Sequence, residues 1–554
     1  MMETKENLPS KLLRGAAILS AAALITKLLG MLQKIPLQNI GGDGVFGIYN
    51  TVYPFYTLLI TLTTSGFQAA IAKFVAERQA PGLEREQGEV LRIAAVMMAV
   101  LGFAFALLLY FGAPILAQLI GSRLLVPAFR GAAPALLLVP VAAALRGYFQ
   151  GHQNMTPTAA SQVIEQAVRV TVMIVLLLGL SRWGAGEPEL AGGALIGSSA
   201  GAAAGLAVML LYWRRASTRP VMGLRKDALS PKRDGALLAD GSRMSSRLGH
   251  RRKLVSTLLK YALPISLASL AVPLISLVDT FTLPRLLSAH GEELRIMAQV
   301  GIYNRGIPLV QLVTMLATSL SVLFIPAMAE LQMNGDAGAI RRQVQVALRW
   351  FWLIGLAASL GLALLATPIN VMLYEDAAGS ATLAWVAWTA APGALVAVTS
   401  ALLQGLGHVR APALHLLAAA LLKTALNAVL VPQLGITGAA IAGVAAYGAA
   451  AALNTALLLR RVQLRPRLRD AVLRPAAAAL AMAAAVLALR LAAAELPAGR
   501  GVAAAVSLLG VLLGAAVFAA AVLRTRLLSA AELGALPRVG PKLLALLRKL
   551  RLLP

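Results

Sequence analysis

The chain has 554 residues, of which 59% are hydrophobic and only 13% charged, against about 25% charged in soluble domains. A formal net charge of +27, a mean hydropathy of +0.77 and the absence of cysteine exclude an ordinary soluble domain, a disulfide scaffold and any thiolate chemistry. Nor do the five histidines follow a zinc-ligand spacing, so no metal, cofactor or catalytic residue is expected.

A bilayer crossing needs about 20 apolar residues, and fourteen such stretches follow one another. The first, Leu12–Ile40, is too long and too lysine-bearing for a cleaved signal peptide; it reads as an anchored helix, with the mature protein starting near Met1. Within it Ser20, Lys27 and Lys34 recur every seven residues and so share a face. No acidic residue accompanies the two lysines in this helix. They are candidates for holding an anion, although Lys34 stands close enough to the helix end to snorkel to a headgroup instead.

The second stretch, Val45–Val75, carries a polar stripe of Asn50, Thr57, Thr61, Thr64 and Gln68. Leu91–Ile120 and Leu124–Phe149 follow, with Arg146 near the inner end of the latter, within snorkelling reach of the surface. In Ala159–Leu180, Glu165 and Arg169 lie four apart and are expected to satisfy each other, leaving a coupling role as the alternative. Gly193, Gly197, Gly201 and Gly205 in Leu190–Trp213 make a smooth stripe for close helix packing.

After the basic stretch Arg214–Lys253 comes Leu258–Leu287, whose Asp279 either partners a lysine of the first helix or couples an ion. Ala298–Leu331 repeats the polar device with Asn304, Gln311, Thr314, Thr318 and Ser321, and places Arg305 after Asn304. The Thr and Ser members of both stripes can equally bond their own helix backbone. The remaining stretches are Val344–Tyr374, Leu383–Leu406, Ala413–Leu430 with Lys423 and Asn427 one turn apart, Ile436–Leu459, Ala471–Ala494 and Val502–Leu523. Lys423 reads either as a structural or as a functional charge. The tail "PKLLALLRKLRLLP" has the pattern of a short surface helix.

The charge is sorted by side. Arg78, Arg85 and Arg92, the stretch Arg214–Lys253, Arg341 and Arg342, and Arg460 and Arg461 fall on one side, whereas Asp43, Glu187, Glu189, Glu375 and Asp376 fall on the other. The positive-inside rule then places both termini of a multi-pass membrane protein in the cytoplasm, and assigns the cations to topology and anionic lipid headgroups rather than nucleic acid.

The tetrapeptide GIYN occurs at 47–50 and again at 301–304, a shift of 254 positions. At that shift Pro54 falls on Pro308, Leu58 on Leu312, Thr64 and Ser65 on Thr318 and Ser319, and Gln150 and Gly151 on Gln404 and Gly405. Six helices separate the copies, so the halves run in parallel. The expected fold is an all-α polytopic membrane protein of about fourteen helices, two parallel six-helix lobes plus two C-terminal helices. Its divisions are an N-terminal lobe at 1–215, a basic linker at 216–254, a second lobe at 255–462, helices 13 and 14 at 463–526, and an amphipathic tail at 527–554. Such paired lobes commonly serve alternating access, with substrate held between them.

"AAALITKLLGMLQKIPLQNIGGDGVFGIYNTVYPFYTLLITLTTSGFQAAIAKFVAE" and "LRGYFQGHQNMTPTAASQVIEQ" resemble the stage V sporulation protein B branch of the multidrug/oligosaccharidyl-lipid/polysaccharide exporter superfamily, a branch related to the MurJ lipid II flippases. The resemblance implies export of an undecaprenyl-diphosphate-linked sugar for peptidoglycan or another surface polysaccharide. A diphosphate needs cations, and Lys27, Lys34 and Arg305, with Asn50, Asn304 and Gln311, are the candidates to bind it. MurJ-like flippases are known for arginines there, whereas the first helix here carries lysines, which are point charges rather than bidentate forks.

Two other readings stand beside a lipid-linked oligosaccharide flippase. A drug or organic-cation antiporter of the same superfamily would want buried carboxylates, and here only Asp279 and Glu165 qualify. A non-transporting partner of cell-wall synthesis proteins would leave the cationic face without a role. A membrane-bound glycosyltransferase is the least favoured reading, because the sequence has no clustered carboxylates outside loops and no metal motif.

Overall fold

The computed structural model describes residues 8–79, 83–218, 240–288, 291–465, 467–497, 499–525 and 527; these form helices joined by short turns, with no strand among them. The middle of the basic linker and nearly all of the expected amphipathic tail lie outside the described residues. Two compact units divide the chain at Thr280.

The first unit contains α1 (Leu8–Leu32), α2 (Lys34–Ala76), α3 (Glu84–Phe111), α4 (Ala113–Ile120), α5 (Val126–Ala132), α6 (Ala135–Gly151), α7 (Thr156–Arg182), α8 (Glu187–Thr218), α9 (Asp240–Ser269) and the start of α10 (Ala271–Leu287). In the second are α11 (Glu293–Asn304), α12 (Ile307–Ser321), α13 (Phe324–Met333), α14 (Ala337–Leu364), α15 (Ala366–Tyr374), α16 (Ser380–Ala387), α17 (Ala390–Gly405), α18 (Arg410–Leu434), α19 (Ile436–Val462), α20 (Arg474–Ala492) and α21 (Arg500–Arg524).

Twelve helical segments are long and apolar enough to cross a membrane. One of them, Ala17–Ala76, has 60 residues, about twice what one crossing needs. It is two spans, parted at Gly42, whose φ of 81° and ψ of 175° no helix allows and which a side chain would resist. With that pair separated, and with α9 and α10 taken together as one further crossing, the total is about fourteen. Several crossings are broken internally by proline. Pro36 cannot supply the N–H that the Leu32 carbonyl would accept, so α1 stops at Leu32, Gln33 forms a turn, and α2 restarts at Lys34.

The unit boundary differs from the expected division in the basic linker. α9, which follows that linker, packs on α2 within the first unit. The approach is close because Gly66 has no side chain. Its backbone N–H donates to Ser266 Oγ at 3.1 Å, and a Cβ there would stand 1.9 Å from the Ala262 carbonyl oxygen. Phe74 meets Tyr261 edge-on at 5.8 Å, and the Lys73 ammonium lies 4.3 Å from the centre of the same ring. Phe67, Ile71, Val75, Leu254, Leu258 and Ala262 are part of the buried core around this contact. Gly66→Leu is therefore expected to lower stability by about 1–3 kcal/mol or more, read as a lower melting midpoint of the purified protein in detergent; an unchanged midpoint would refute the close packing.

In the second unit α20 and α21 pack on α14 and α15 through Leu353, Leu365, Ile369, Met482, Val486 and Phe518. Their other faces leave Leu480, Leu487, Leu508 and Leu512 exposed, as a lipid-facing helix requires.

Candidate functional site

The break between α1 and α2 is held by side-chain amides. Gln33, 3% exposed, accepts a hydrogen bond at 3.2 Å from Gln166 of α7 and donates to the Tyr49 hydroxyl at 3.4 Å. Lys34 follows directly and is 8% exposed, and no hydrogen bond or ion pair to its ammonium exists among the described residues. Lys27, in α1 before the break, is exposed. The structure thus puts an open lysine and a buried lysine on either side of the point where the helix is interrupted.

Asn50 and Asn304, the last letters of the repeated tetrapeptide, make the same bond in both units. Each side-chain amide donates to the carbonyl four residues back, to Phe46 at 2.7 Å and to Val300 at 2.8 Å. The hydroxyls of Thr57, Thr61, Thr64, Thr314, Thr318 and Ser321 likewise bond their own helix backbone. Both stripes are locally satisfied. Gln68 instead reaches Gln150 of α6 at 3.1 Å, and Gln311 is exposed.

Arg305 does not offer the unpaired charge that the sequence suggests. Pro308 breaks the helix after Asn304, and at the break the Arg305 side chain turns inward, fully buried, to grip Asp376 through both terminal nitrogens at 2.6 and 2.9 Å. Asn370 accepts from it at 3.3 Å, and the Tyr374 ring lies 5.2 Å from the guanidinium. Arg305 is a tie between α11 and the loop after α15. The hydrogen bonds from Arg305 hold the Asp376 carboxyl below its ordinary pKa. Stability drawn from this pair is therefore present above the ordinary carboxylate value of about 3.9 and fades as pH falls through the lower folded value. Asp376→Asn is expected to flatten the acid limb of a melting-versus-pH curve below about pH 4; an unchanged limb would show that the pair does not report on folding.

Glu165 and Arg169 lie 3.0 Å apart, and a third partner joins them. Rather than snorkelling, Arg146 of α6 is buried, 2.6 Å from the other Glu165 oxygen and 2.7 Å from Ser161 Oγ, which itself donates to the Gly205 carbonyl at 2.9 Å. The glycine stripe of α8 makes room for this cluster. A Cβ at Gly197 would meet the Arg169 carbonyl at 2.8 Å, and one at Gly205 would meet Glu165 Oε2 at 3.0 Å.

Sequence reasoning passed over Gln33, Gln166 and the tyrosines beside them. Tyr49, Tyr53 and Tyr56 form an i, i+4, i+7 face of α2, with ring centres 5.4 and 6.0 Å apart in succession; that spacing was the signal. Lys423 and Asn427 are buried in α18, Asn427 donating to Thr282 at 2.8 Å. Lys423 and the half-buried Asp279 are both partnered side chains. Among the described residues no group of His, Asp and Glu is arranged to hold a metal.

The comparisons with known proteins agree with this architecture. The membrane protein YabM of Bacillus subtilis is 33% identical over 538 residues, 97% of this chain and 96% of that protein. Lipid II flippase MurJ of the same organism is 28% identical over 79% of this chain and 80% of its own length; its stage V sporulation protein B is 28% identical over 83% and 86%. Among solved structures, Lipid II flippase MurJ in an inward closed conformation matches with a TM-score of 0.64 at 14% identity, covering 91% of this chain and 98% of that one. An inward-facing multidrug resistance MATE family transporter also matches at 0.64 and 14% identity, over 79% and 94%. The structural likeness shows the fold alone, and the resemblance read from the two N-terminal stretches meets relatives in the same branch. The relatives and neighbours whose names state a role are a flippase and transporters, not enzymes. With residues 12–332 matching the polysaccharide biosynthesis protein family, this multi-pass membrane chain belongs to that family.

Proposed function

We propose that the chain moves a polyprenyl-diphosphate-linked saccharide, lipid II or a related precursor, across the bacterial cytoplasmic membrane by alternating access, with both termini in the cytoplasm. One observation carries the reading: Lys34 is a buried cation with no protein partner among the described residues, placed at a break in a membrane-spanning helix. A charge in that position is costly unless something it binds supplies the counter-charge, and a diphosphate does so through charge-assisted hydrogen bonds. Lys27 adds a cation in an open position before that break. Asn50, Asn304 and Gln311 are the polar groups proposed to contact the saccharide; Arg305 is left out because Asp376 already holds it. The exposed leucines of α20 and α21 suit a prenyl chain or bulk lipid.

An antiporter of organic cations is less well supported, because Glu165 is already neutralised by two arginines. The test is expression in a bacterium depleted of its own lipid II flippases. Restored growth, with lipid II accessible at the outer leaflet, is the expected result. Failure despite correct membrane insertion would overturn lipid II as cargo and turn the search to other polyprenyl-linked polymers.

A further inference from the structure

The cluster around Glu165 carries a charge that its own side chains do not balance. Arg146 and Arg169 face a single carboxylate, and among the described residues neither arginine has another acidic partner. Glu165 takes Arg146 on one oxygen and an Arg169 terminal nitrogen on the other. Another Arg169 donor, Nε–H, is buried and has no hydrogen-bond acceptor.

Two further donors share that environment. The Tyr56 hydroxyl and Ser198 Oγ approach each other within the field of Arg169, and neither has a further hydrogen-bond partner. Tyr56 is 1% and Ser198 0% exposed. Ser198 belongs to α8 between Gly197 and Gly201, the two positions at which α8 closes directly onto Arg169. Three buried donors and one surplus positive charge thus meet where α2, α7 and α8 pack together.

In the repeat Arg169 corresponds to Lys423, itself a buried cation, and Glu165 to Ala419. At the shift of 254 positions, Arg146 and Ser161 correspond to Ser400 and His415. There Asn454 bridges the two, bonding His415 at 2.7 Å and Ser400 at 3.2 Å, without an arginine or a carboxylate. The second half thus keeps one buried cation at the place of Arg169 but lacks the second arginine and the carboxylate.

We infer that the first unit contains a binding site for a small monovalent inorganic anion such as chloride, held by Arg169 Nε–H, the Tyr56 hydroxyl and the Ser198 hydroxyl. An anion there would balance the cluster and satisfy all three donors at once, which water, carrying no charge, does only in part. The site uses neither Lys27 nor Lys34 and is independent of which lipid is carried.

The experiment compares melting of the purified full chain in detergent, in sodium chloride and in sodium gluconate at equal ionic strength. A saturable rise of the melting midpoint with chloride is expected. Tyr56→Phe and Ser198→Ala, which leave every ion pair in place, should each raise the half-maximal chloride concentration roughly three- to tenfold, and Arg169→Gln should abolish the response. Bromide should substitute for chloride. Identical melting in chloride and gluconate, or equal responses in the wild type and in both mild variants, would overturn the site.

Discussion

Replacing Lys34 by methionine is expected to cut transport at limiting substrate steeply while leaving the folded protein as stable as the wild type or more so. The two halves of that result have one cause. A buried ammonium without a protein partner lowers stability, by about 2.5–3.5 kcal/mol on insertion scales, and methionine relieves this while filling much the same volume. The same change removes the contact proposed for a diphosphate, for which a charged hydrogen bond is worth about 1.5–3 kcal/mol, or roughly ten- to hundredfold in transport at limiting substrate. Lys34→Arg should keep much of the activity. The measurement pairs outer-leaflet lipid II in the depleted host with the melting midpoint of each variant. A Lys34→Met protein that transports normally would sink the assignment, and one that melts much earlier would mean that Lys34 serves the fold.

Glu165→Gln should act in the opposite way, as a loss of folding rather than of binding. It leaves Arg146 and Arg169 buried in α6 and α7 with no carboxylate between them. Breaking a buried ion pair from one side costs about 3–5 kcal/mol, because the stranded charge stays out of water. Reduced membrane accumulation and a melting midpoint well below the wild type are expected. Chloride should recover part of the loss, since an anion beside Arg169 supplies some of the missing charge. Wild-type stability in Glu165→Gln would show that the two arginines reach solvent or lipid headgroups on their own.

The membrane class, the approximate number of spans and the doubling of the chain were legible because each rests on a long, periodic signal. Apolar stretches of twenty residues and a register kept from GIYN to Gln404 and Gly405 survive local exceptions. Lys34 stood out by the same logic, since a lysine in an apolar helix with no acid in it is conspicuous. Arg305 carried an identical signal and is tied to Asp376, 71 residues away in sequence; the acid sits in a loop that reads as solvent-exposed. Nothing local distinguishes the two cations.

Arg146 shows the same limit from the other direction. Its place near a helix end suggested a headgroup contact, but Ser161 and Glu165 of the neighbouring helix capture it. The backbone hydrogen bonds of the Thr and Ser stripes, by contrast, span three or four residues and were foreseeable as one of two outcomes.

What the sequence by itself determined is therefore what the bilayer and the helix repeat impose: an all-helical membrane chain, its duplicated halves, and which polar residues lie within spans. Those follow from composition and spacing because transfer into lipid acts on each helix separately. The tertiary structure alone decided which buried charges are paired, that α9 joins the first unit by lying on Gly66, and that the Tyr56 and Ser198 hydroxyls come together near Arg169. Pairing and close approach depend on atoms brought together from distant parts of the chain, and electrostatic energies change steeply over a few ångströms, a distance that spacing along the sequence does not encode.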